Sequence, residues 1–184
     1  RKIILREQPD QTLAFTRRII ELPMLTSPTP DQLRSELAER EKELHDAVAG
    51  GASRAVTNPI KYHVNWLTSM LAEGDRLANW TSSPGEVWAM RVGDCAIVGT
   101  PGELFSEIGQ AVRSASPFPT TLFAGYCQGV LGYVATPEEY PHGGYEPSVA
   151  HRGYAHPAPF APEAAQLLID TSLDLLAHLH EGRI

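Results

Sequence analysis

The chain has 184 residues, a length that fits one domain or a large part of one. Its hydrophobic content of 42% is enough for a packed core, and its formal net charge of -7 argues against a general nucleic-acid-binding surface. No run of about 18 apolar residues is present, so the sequence predicts no transmembrane segment, and no signal peptide is recognised.

The N-terminal half alternates between strand-like and helical patterns. Apolar runs at 3–5 and 18–22 are typical of strands, and helices are predicted over 30–48 and 59–73. The first helix is charged, with its apolar side chains on one stripe (Leu33, Leu37, Leu44 and Val48). Two more strands, 86–91 and 95–98, flank a predicted hairpin turn at Gly93 and Asp94.

The C-terminal half continues the alternation. The pattern predicts a helix over 101–115, strands over 121–124 and 130–134, and a final helix over 162–180. Between the last two lies a long irregular stretch, 136–162, and loops of that length are often functional. The elements together indicate a mixed α and β fold, best described as α/β or α+β, with residues 1–184 forming a single unit.

The two cysteines, Cys95 and Cys127, lie in apolar surroundings. They are predicted to be small buried thiols, and a disulfide between them is the alternative.

Glu103 follows an apolar strand, in the sequence Gly99-Thr100-Pro101-Gly102-Glu103. The T-x-x-E spacing with proline at the first helical position is that of a capping box. The same form recurs at Thr29 and at Thr136. Spacing alone therefore favours a helix cap. The alternative is a functional carboxylate at the edge of the sheet, holding zinc or calcium or acting as a base.

Histidines and tyrosines concentrate in the later part of the chain. The spacing of His142, His151 and His156 matches no helical metal motif, so structural or solvent-facing roles are favoured, with His142 and His151 as candidates for lining a site. Five tyrosines either pack a glycine-rich loop or line a wet pocket in which one phenol binds metal or stabilises an oxyanion; they are Tyr126, Tyr133, Tyr140, Tyr145 and Tyr154.

Four ordered motifs resemble the catalytic domain of the neutral/alkaline ceramidases and their uncharacterised relatives. They are "PGELF" at 101–105, "SPF" at 116–118, "GYVATPEEY" at 132–140 and "GGYE" at 143–146. The resemblance is strongest over 86–146. It implies that the chain is the C-terminal part of such a catalytic domain, without the immunoglobulin-like domain of the larger members.

The resemblance also implies a chemistry. In that family two histidines, a glutamate and a tyrosine hold one zinc ion, and Glu103 and Tyr140 match the last two. Tyr140 would also be catalytic, Tyr145 and His142 would line the pocket, and the histidines would come from a preceding segment or another chain. The expected activity is zinc-dependent hydrolysis of an N-acyl lipid amide, N-acylsphingosine giving sphingosine and a fatty acid, with metal-activated water as the attacking group.

Departures from the family pattern leave the substrate open. Gln128 stands where asparagine is expected, Ala135 replaces a residue that is often proline, and "GGYE" is closer to the uncharacterised relatives. The alternative is a ceramidase-like homologue that is non-catalytic or acts on a non-lipid substrate, with this chain as a structural or binding module. A ceramidase-like role would place the protein outside the cell or at its surface, and a cytoplasmic location is also open. Alone, the chain is expected to fold poorly, because an interrupted sheet exposes apolar edges.

Overall fold

A computed structural model describes residues 11–182, so the strand predicted at 3–5 lies outside the described residues. The protein is a mixed α+β fold in which helices flank a sheet. The sheet has four strands, in the spatial order β1 (Leu13–Pro23), β2 (Ser82–Val92), β3 (Cys95–Gly99) and β5 (Thr120–Ala124). A separate two-stranded pair joins β4 (Glu103–Leu104) to β6 (Tyr133–Val134).

Six α-helices accompany these strands in the described part of the chain. They are α1 (Pro30–Ala49), α2 (Arg54–Ala72), α3 (Asp75–Asn79), α4 (Ser106–Ala115), α5 (Tyr145–Ser148) and α6 (Glu163–His180). Within residues 11–182, no helix has the length and apolar character that crossing a bilayer requires.

The register of the sheet follows the alternation in the sequence. β1 and β2 are antiparallel, and β2 turns back into β3 with Val92 opposite Cys95. Gly93 makes that turn with a φ of 60°, in the left-handed region where glycine has no steric cost. The predicted hairpin is therefore confirmed. β3 then pairs in parallel with β5, and α4 makes the connection between them.

The main core lies between one face of the sheet and the two helices α4 and α6. Val87 and Ala89 point inward from β2, as the period of two predicts, and pack with fully buried leucines of α6 such as Leu168 and Leu176. Arg91 reaches past this core and donates to the carbonyl oxygen of Leu179 at 3.1 Å. The final helix, predicted over 162–180, is confirmed with nearly the same bounds.

The opposite face of the sheet carries exposed apolar side chains. Leu13 is 72% exposed and Ile19 is 70% exposed; Phe15, Val92 and Leu122 are also exposed. Phe15 stacks on Trp88, with 6.0 Å between ring centroids. We call this surface, defined by Leu13, Phe15, Ile19, Trp88, Val92 and Leu122, the outer sheet face.

Helices α1 and α2 form a hairpin with a second, smaller core. The predicted capping box at Thr29 is confirmed: its hydroxyl accepts from the Gln32 N–H, and the Gln32 side chain accepts from the Thr29 N–H. The helix predicted to start at Pro59 starts at Arg54 instead. Proline lacks only one backbone donor, so Pro59 removes a single helical bond and the flanking turns still form. Trp66 donates to the carbonyl of His156 at 2.9 Å and so ties the hairpin to the late loop.

Cys95 and Cys127 are free and half-buried, so no disulfide joins them.

Candidate functional site

The corner at residues 100–103 does not cap a helix. Glu103 lies in β4 and its backbone N–H donates to the carbonyl oxygen of Gly132 at 2.8 Å. Helix α4 begins only at Ser106, after Phe105, so the predicted start at 101 is wrong. Thr100 is fully buried and its hydroxyl donates to the Ala124 carbonyl at 3.3 Å. The capping interpretation of Glu103 is therefore wrong.

The second repeat of the motif is not a capping box either. Thr136 precedes a short 3₁₀ segment, Pro137–His142, and its side chain makes no capping hydrogen bond. The strand predicted over 130–134 is reduced to Tyr133 and Val134, because Gly129 and Gly132 take positive φ values that break an extended run.

Gly102 explains why the chain adopts a strand at Glu103. Its φ is +98°, and a Cβ at this position would lie 2.7 Å from the carbonyl oxygen of Gly132. Only glycine allows that close approach of two backbones. The approach lets β4 pair with β6 in parallel, with Glu103 opposite Tyr133 and Leu104 opposite Val134.

Phenol groups converge on the Glu103 carboxylate. Tyr126 donates its hydroxyl to Oε2 at 2.5 Å, and Tyr154 donates to Oε1. Tyr133 lies opposite Glu103 in the strand register, and its hydroxyl is a third phenol that favours the ionised carboxylate. Tyr126 has a φ of 58°, a left-handed conformation that is uncommon outside glycine. We call these four residues, Glu103, Tyr126, Tyr133 and Tyr154, the phenol–carboxylate cluster.

The hydrogen bonds set the ionisation of this cluster. Burial by itself would raise the pKa of Glu103, but donation from Tyr126, Tyr154 and Tyr133 outweighs burial and holds the pKa below its usual value. The same bonds raise the pKa of Tyr133 to about 12 and raise that of Tyr154 further. At neutral pH the cluster is thus one carboxylate surrounded by protonated phenols.

An open cavity of about 470 Å³ borders Glu103 and Tyr133. Phe105 and Phe123 line its apolar side, and Arg113 of α4 adds a cation. The size falls within the range of small-molecule sites.

The other predicted site residues lie around this cluster in different ways. Tyr140 donates its hydroxyl to the carbonyl oxygen of Phe160 at 2.7 Å, and burial raises its pKa to about 12. Tyr145 packs edge-on against Tyr133, with ring centroids 6.1 Å apart. His142 is exposed, at the end of the 3₁₀ segment. Tyr145 thus lies next to the phenol–carboxylate cluster, whereas the Tyr140 hydroxyl is hydrogen-bonded to the Phe160 backbone.

The remaining histidines of the late loop have structural contacts. His156 is buried, with Nε2 2.9 Å from the Leu131 carbonyl oxygen. His151 contacts the Trp66 ring edge-on at 5.4 Å, and burial lowers its pKa to about 4. Residues 11–182 contain no group of three or more His, Cys, Asp or Glu side chains arranged to hold a metal ion.

No protein-family model matches the chain, and no curated protein matches it. Solved structures do match, among them a ceramidase described as complexed with C2 and the neutral ceramidase from Pseudomonas aeruginosa. Each is 25% identical to this chain over 55% of its length, with a TM-score of 0.42. The chain spans only 15% and 16% of those two proteins. A TM-score at this level does not define the fold, which stands on the strand and helix arrangement described above.

Proposed function

We propose that the chain is part of a zinc-dependent amide hydrolase similar to the neutral ceramidases, and that Glu103 is one of its metal ligands. The observation that carries the proposal is the pairing of Glu103 with Tyr133. A glycine with positive φ and a parallel strand pair hold an ionised carboxylate beside a phenol, and both residues line a cavity. The four ordered motifs shared with the ceramidases support the same proposal.

The donor chemistry fits zinc as part of a ligand set. Zinc accepts carboxylate oxygen together with histidine nitrogen, and Glu103 is held ionised and accessible from the cavity. The histidine ligands would come from outside the described residues, as the family resemblance implies. A bound zinc ion supplies a Lewis acid for the amide carbonyl and a water of lowered pKa.

Among the phenols, Tyr133 is the better placed to act with Glu103. The motif resemblance assigns the zinc-binding phenol to Tyr140. To bind zinc, the Tyr140 hydroxyl would have to break its hydrogen bond to the Phe160 carbonyl oxygen. Tyr133 lies opposite Glu103 in the strand register and lines the same cavity. We therefore assign to Tyr133 the second oxygen ligand or the hydroxyl that donates to the developing oxyanion. Tyr140 remains the matched alternative.

The other two phenols act on the carboxylate. Tyr126 and Tyr154 donate to different oxygens of Glu103, which fixes the rotation of the group and keeps it unprotonated. Phe105 and Phe123 give the cavity an apolar wall suited to the acyl or sphingoid part of a lipid amide.

The test uses the full natural protein, with zinc content and release of the acyl group from an N-acylsphingosine as the two readouts. Glu103→Gln keeps the shape and removes the charge, and we expect zinc affinity to fall by at least about 100-fold, with loss of hydrolysis. Tyr133→Phe should lower kcat by about 100-fold or more, while Tyr140→Phe should change it little.

Each outcome has a defined meaning. Full zinc occupancy in Glu103→Gln would refute the ligand assignment. Loss of activity in Tyr140→Phe but not in Tyr133→Phe would restore Tyr140 to the role. A folded natural protein that binds zinc but hydrolyses no N-acyl lipid would favour a non-lipid substrate, and one that binds no zinc would favour a non-catalytic module.

A further inference from the structure

A second cavity, of about 580 Å³, is lined by the α1–α2 hairpin and by residues 145–152, and Glu103 is not part of its lining. Its lining combines polar and apolar side chains. Arg40, His63 and Arg152 supply the polar part, and Ile60, Tyr62 and Val149 supply the apolar part. We call it the hairpin cavity. Its volume is that of a site for a small organic molecule.

Both arginines have N–H groups that donate to no acceptor. The Nε atoms of Arg40 and Arg152 are buried and have no hydrogen-bond partner. Arg152 places one terminal nitrogen 3.3 Å from His63 Nδ1 and the other 3.9 Å from the Glu36 carboxylate, which is too long for a direct hydrogen bond. A guanidinium carries five N–H donors, so most of those on Arg152 are left for another acceptor.

The neighbouring carboxylates accept hydrogen bonds from only part of the N–H donors on these two arginines. Arg40 donates one terminal nitrogen to Glu43, three residues further along α1. Glu36 lies 3.0 Å from His63 Nε2 but off the line that a hydrogen bond requires. Burial, and after it the nearby Arg152, lowers the pKa of His63. The imidazole is therefore neutral at pH 7, and the two arginines supply the positive charge of the lining. Buried donors without acceptors cost free energy, and an anion would relieve that cost.

The apolar part of the lining suits a hydrocarbon. Tyr62 is 53% exposed and Val149 is 39% exposed, so both offer apolar surface to a ligand in the hairpin cavity. Tyr145 also lines the hairpin cavity, and its ring contacts Tyr133 of the phenol–carboxylate cluster. The cavity is therefore next to the candidate active site.

From these contacts we infer that the hairpin cavity binds a fatty carboxylate, with its head on Arg40 and Arg152 and its chain against Ile60, Tyr62 and Val149. Guanidinium groups match a carboxylate with paired hydrogen bonds, and the apolar wall takes the methylene groups. A fatty carboxylate is also the class of molecule that amide hydrolysis would release. Only this assignment as a product site rests on the proposed function; the binding itself does not.

The experiment measures binding of dodecanoate to the full natural protein by isothermal titration calorimetry. Dodecanol serves as the probe without a charge, and acetate as the probe without a chain. We expect dodecanoate to bind at least about tenfold more tightly than either, a difference of about 1.4 kcal/mol, because each comparison probe lacks either the charged hydrogen bonds or the apolar contacts. Equal binding of dodecanoate and dodecanol would overturn the inference.

Variants locate the site. Arg152→Gln and Arg40→Gln should each weaken dodecanoate binding by about tenfold or more, whereas Arg34→Gln, on the same helix as Arg40 but outside the cavity, should not. Arg152 also lies over the Trp66 ring, at 5.1 Å, so its variant is checked for cooperative melting, and Arg40→Gln decides if Arg152→Gln unfolds. Unchanged binding in Arg40→Gln would contradict the inference.

A third variant separates this inference from the proposed function. Glu103→Gln should abolish hydrolysis if the proposed function holds, yet it should keep dodecanoate binding, because Glu103 does not line the hairpin cavity. Loss of dodecanoate binding in folded Glu103→Gln would place the ligand at the phenol–carboxylate cluster instead.

Discussion

Glu103 and Tyr133 lie directly opposite each other in a parallel pair of two-residue strands, thirty positions apart in the sequence. The pairing places a phenol beside the carboxylate, and no local sequence pattern predicts this neighbour. It also leaves a side of the carboxylate facing the cavity. The properties of the site therefore depend on a short backbone contact and on the tyrosines that it brings together.

The first prediction concerns the ionisation of Glu103. Tyr154→Phe removes one hydrogen bond to the carboxylate, so the Glu103 pKa should rise towards its ordinary value. Carbon-detected NMR titration of the carboxylate measures the change. Tyr140→Phe is the matched control, because it removes a phenol that donates to a backbone carbonyl instead, and it should leave the Glu103 pKa as it is.

The same hydrogen bonds predict an acid-sensitive contribution to stability. A carboxylate whose folded pKa is lowered stabilises the protein above its unfolded pKa, 4.5, and this stabilisation is lost as the pH falls through the folded value. Tyr154→Phe should therefore flatten this part of the curve of unfolding free energy against pH. An unchanged curve in the variant would mean that the hydrogen bond does not hold the carboxylate ionised.

The second prediction concerns Gly102. In Gly102→Ala, the new Cβ would combine a positive φ with a contact of 2.7 Å to the Gly132 carbonyl oxygen. We expect a loss of more than about 2 kcal/mol in unfolding free energy, measured by urea denaturation. Gly51→Ala is the control: its φ is +74° and its Cβ would meet nothing within 4 Å, so it should cost only the conformational penalty of about 1 kcal/mol. Equal losses in the two variants would show that the backbone contact is not close.

The third prediction uses the strained turn after β5. Gln128 is exposed and has a φ of 60°, a conformation that disfavours a residue with a Cβ. Gln128→Gly should raise the unfolding free energy by up to about 1 kcal/mol, whereas Gln128→Ala should not, because alanine keeps the steric cost. Thermal melting of the two variants distinguishes them, and a lower melting temperature for the glycine variant would be the contrary result.

The fourth prediction concerns His151. Its folded pKa is about 4 because the ring is buried, and the ordinary value is 6.5. Between those values the unfolded chain binds more protons, so the unfolding free energy should fall as the pH drops from about 6.5 to about 4. His151→Phe keeps a ring against Trp66 and should remove on the order of 1–2 kcal/mol of that fall, after allowance for solvent at the partly buried ring. Identical slopes in the variant and the parent would contradict this assignment.

Much of the fold could be predicted from local patterns. The alternation over 86–91, the Gly93–Asp94 turn and the apolar run over 95–98 each correspond to an element that forms where the sequence places it. These elements depend on interactions between near neighbours in the sequence, or on a simple inside–outside period. The final helix is of the same kind.

The corner at Glu103 could not be predicted in this way. Its T-x-x-E spacing with proline has the form of a helix cap, and the same form at Thr29 does cap a helix. What differs is the contact between Gly102 and Gly132, which is distant in sequence and has no local signature. The choice of Tyr133 from five candidate tyrosines likewise depends on the register of β4 against β6, which only the fold determines.

The outer sheet face affects how the measured stability of the protein depends on solution conditions. Leu13, Phe15 and Ile19 on β1 and Leu122 on β5 present hydrocarbon to water from the two edge strands of the sheet. Whatever covers such a surface adds its binding free energy to that of folding, by mass action. The melting temperature of this chain should therefore rise with its own concentration and with the concentration of any partner that binds this face. A single value measured in dilute buffer would not hold at other concentrations.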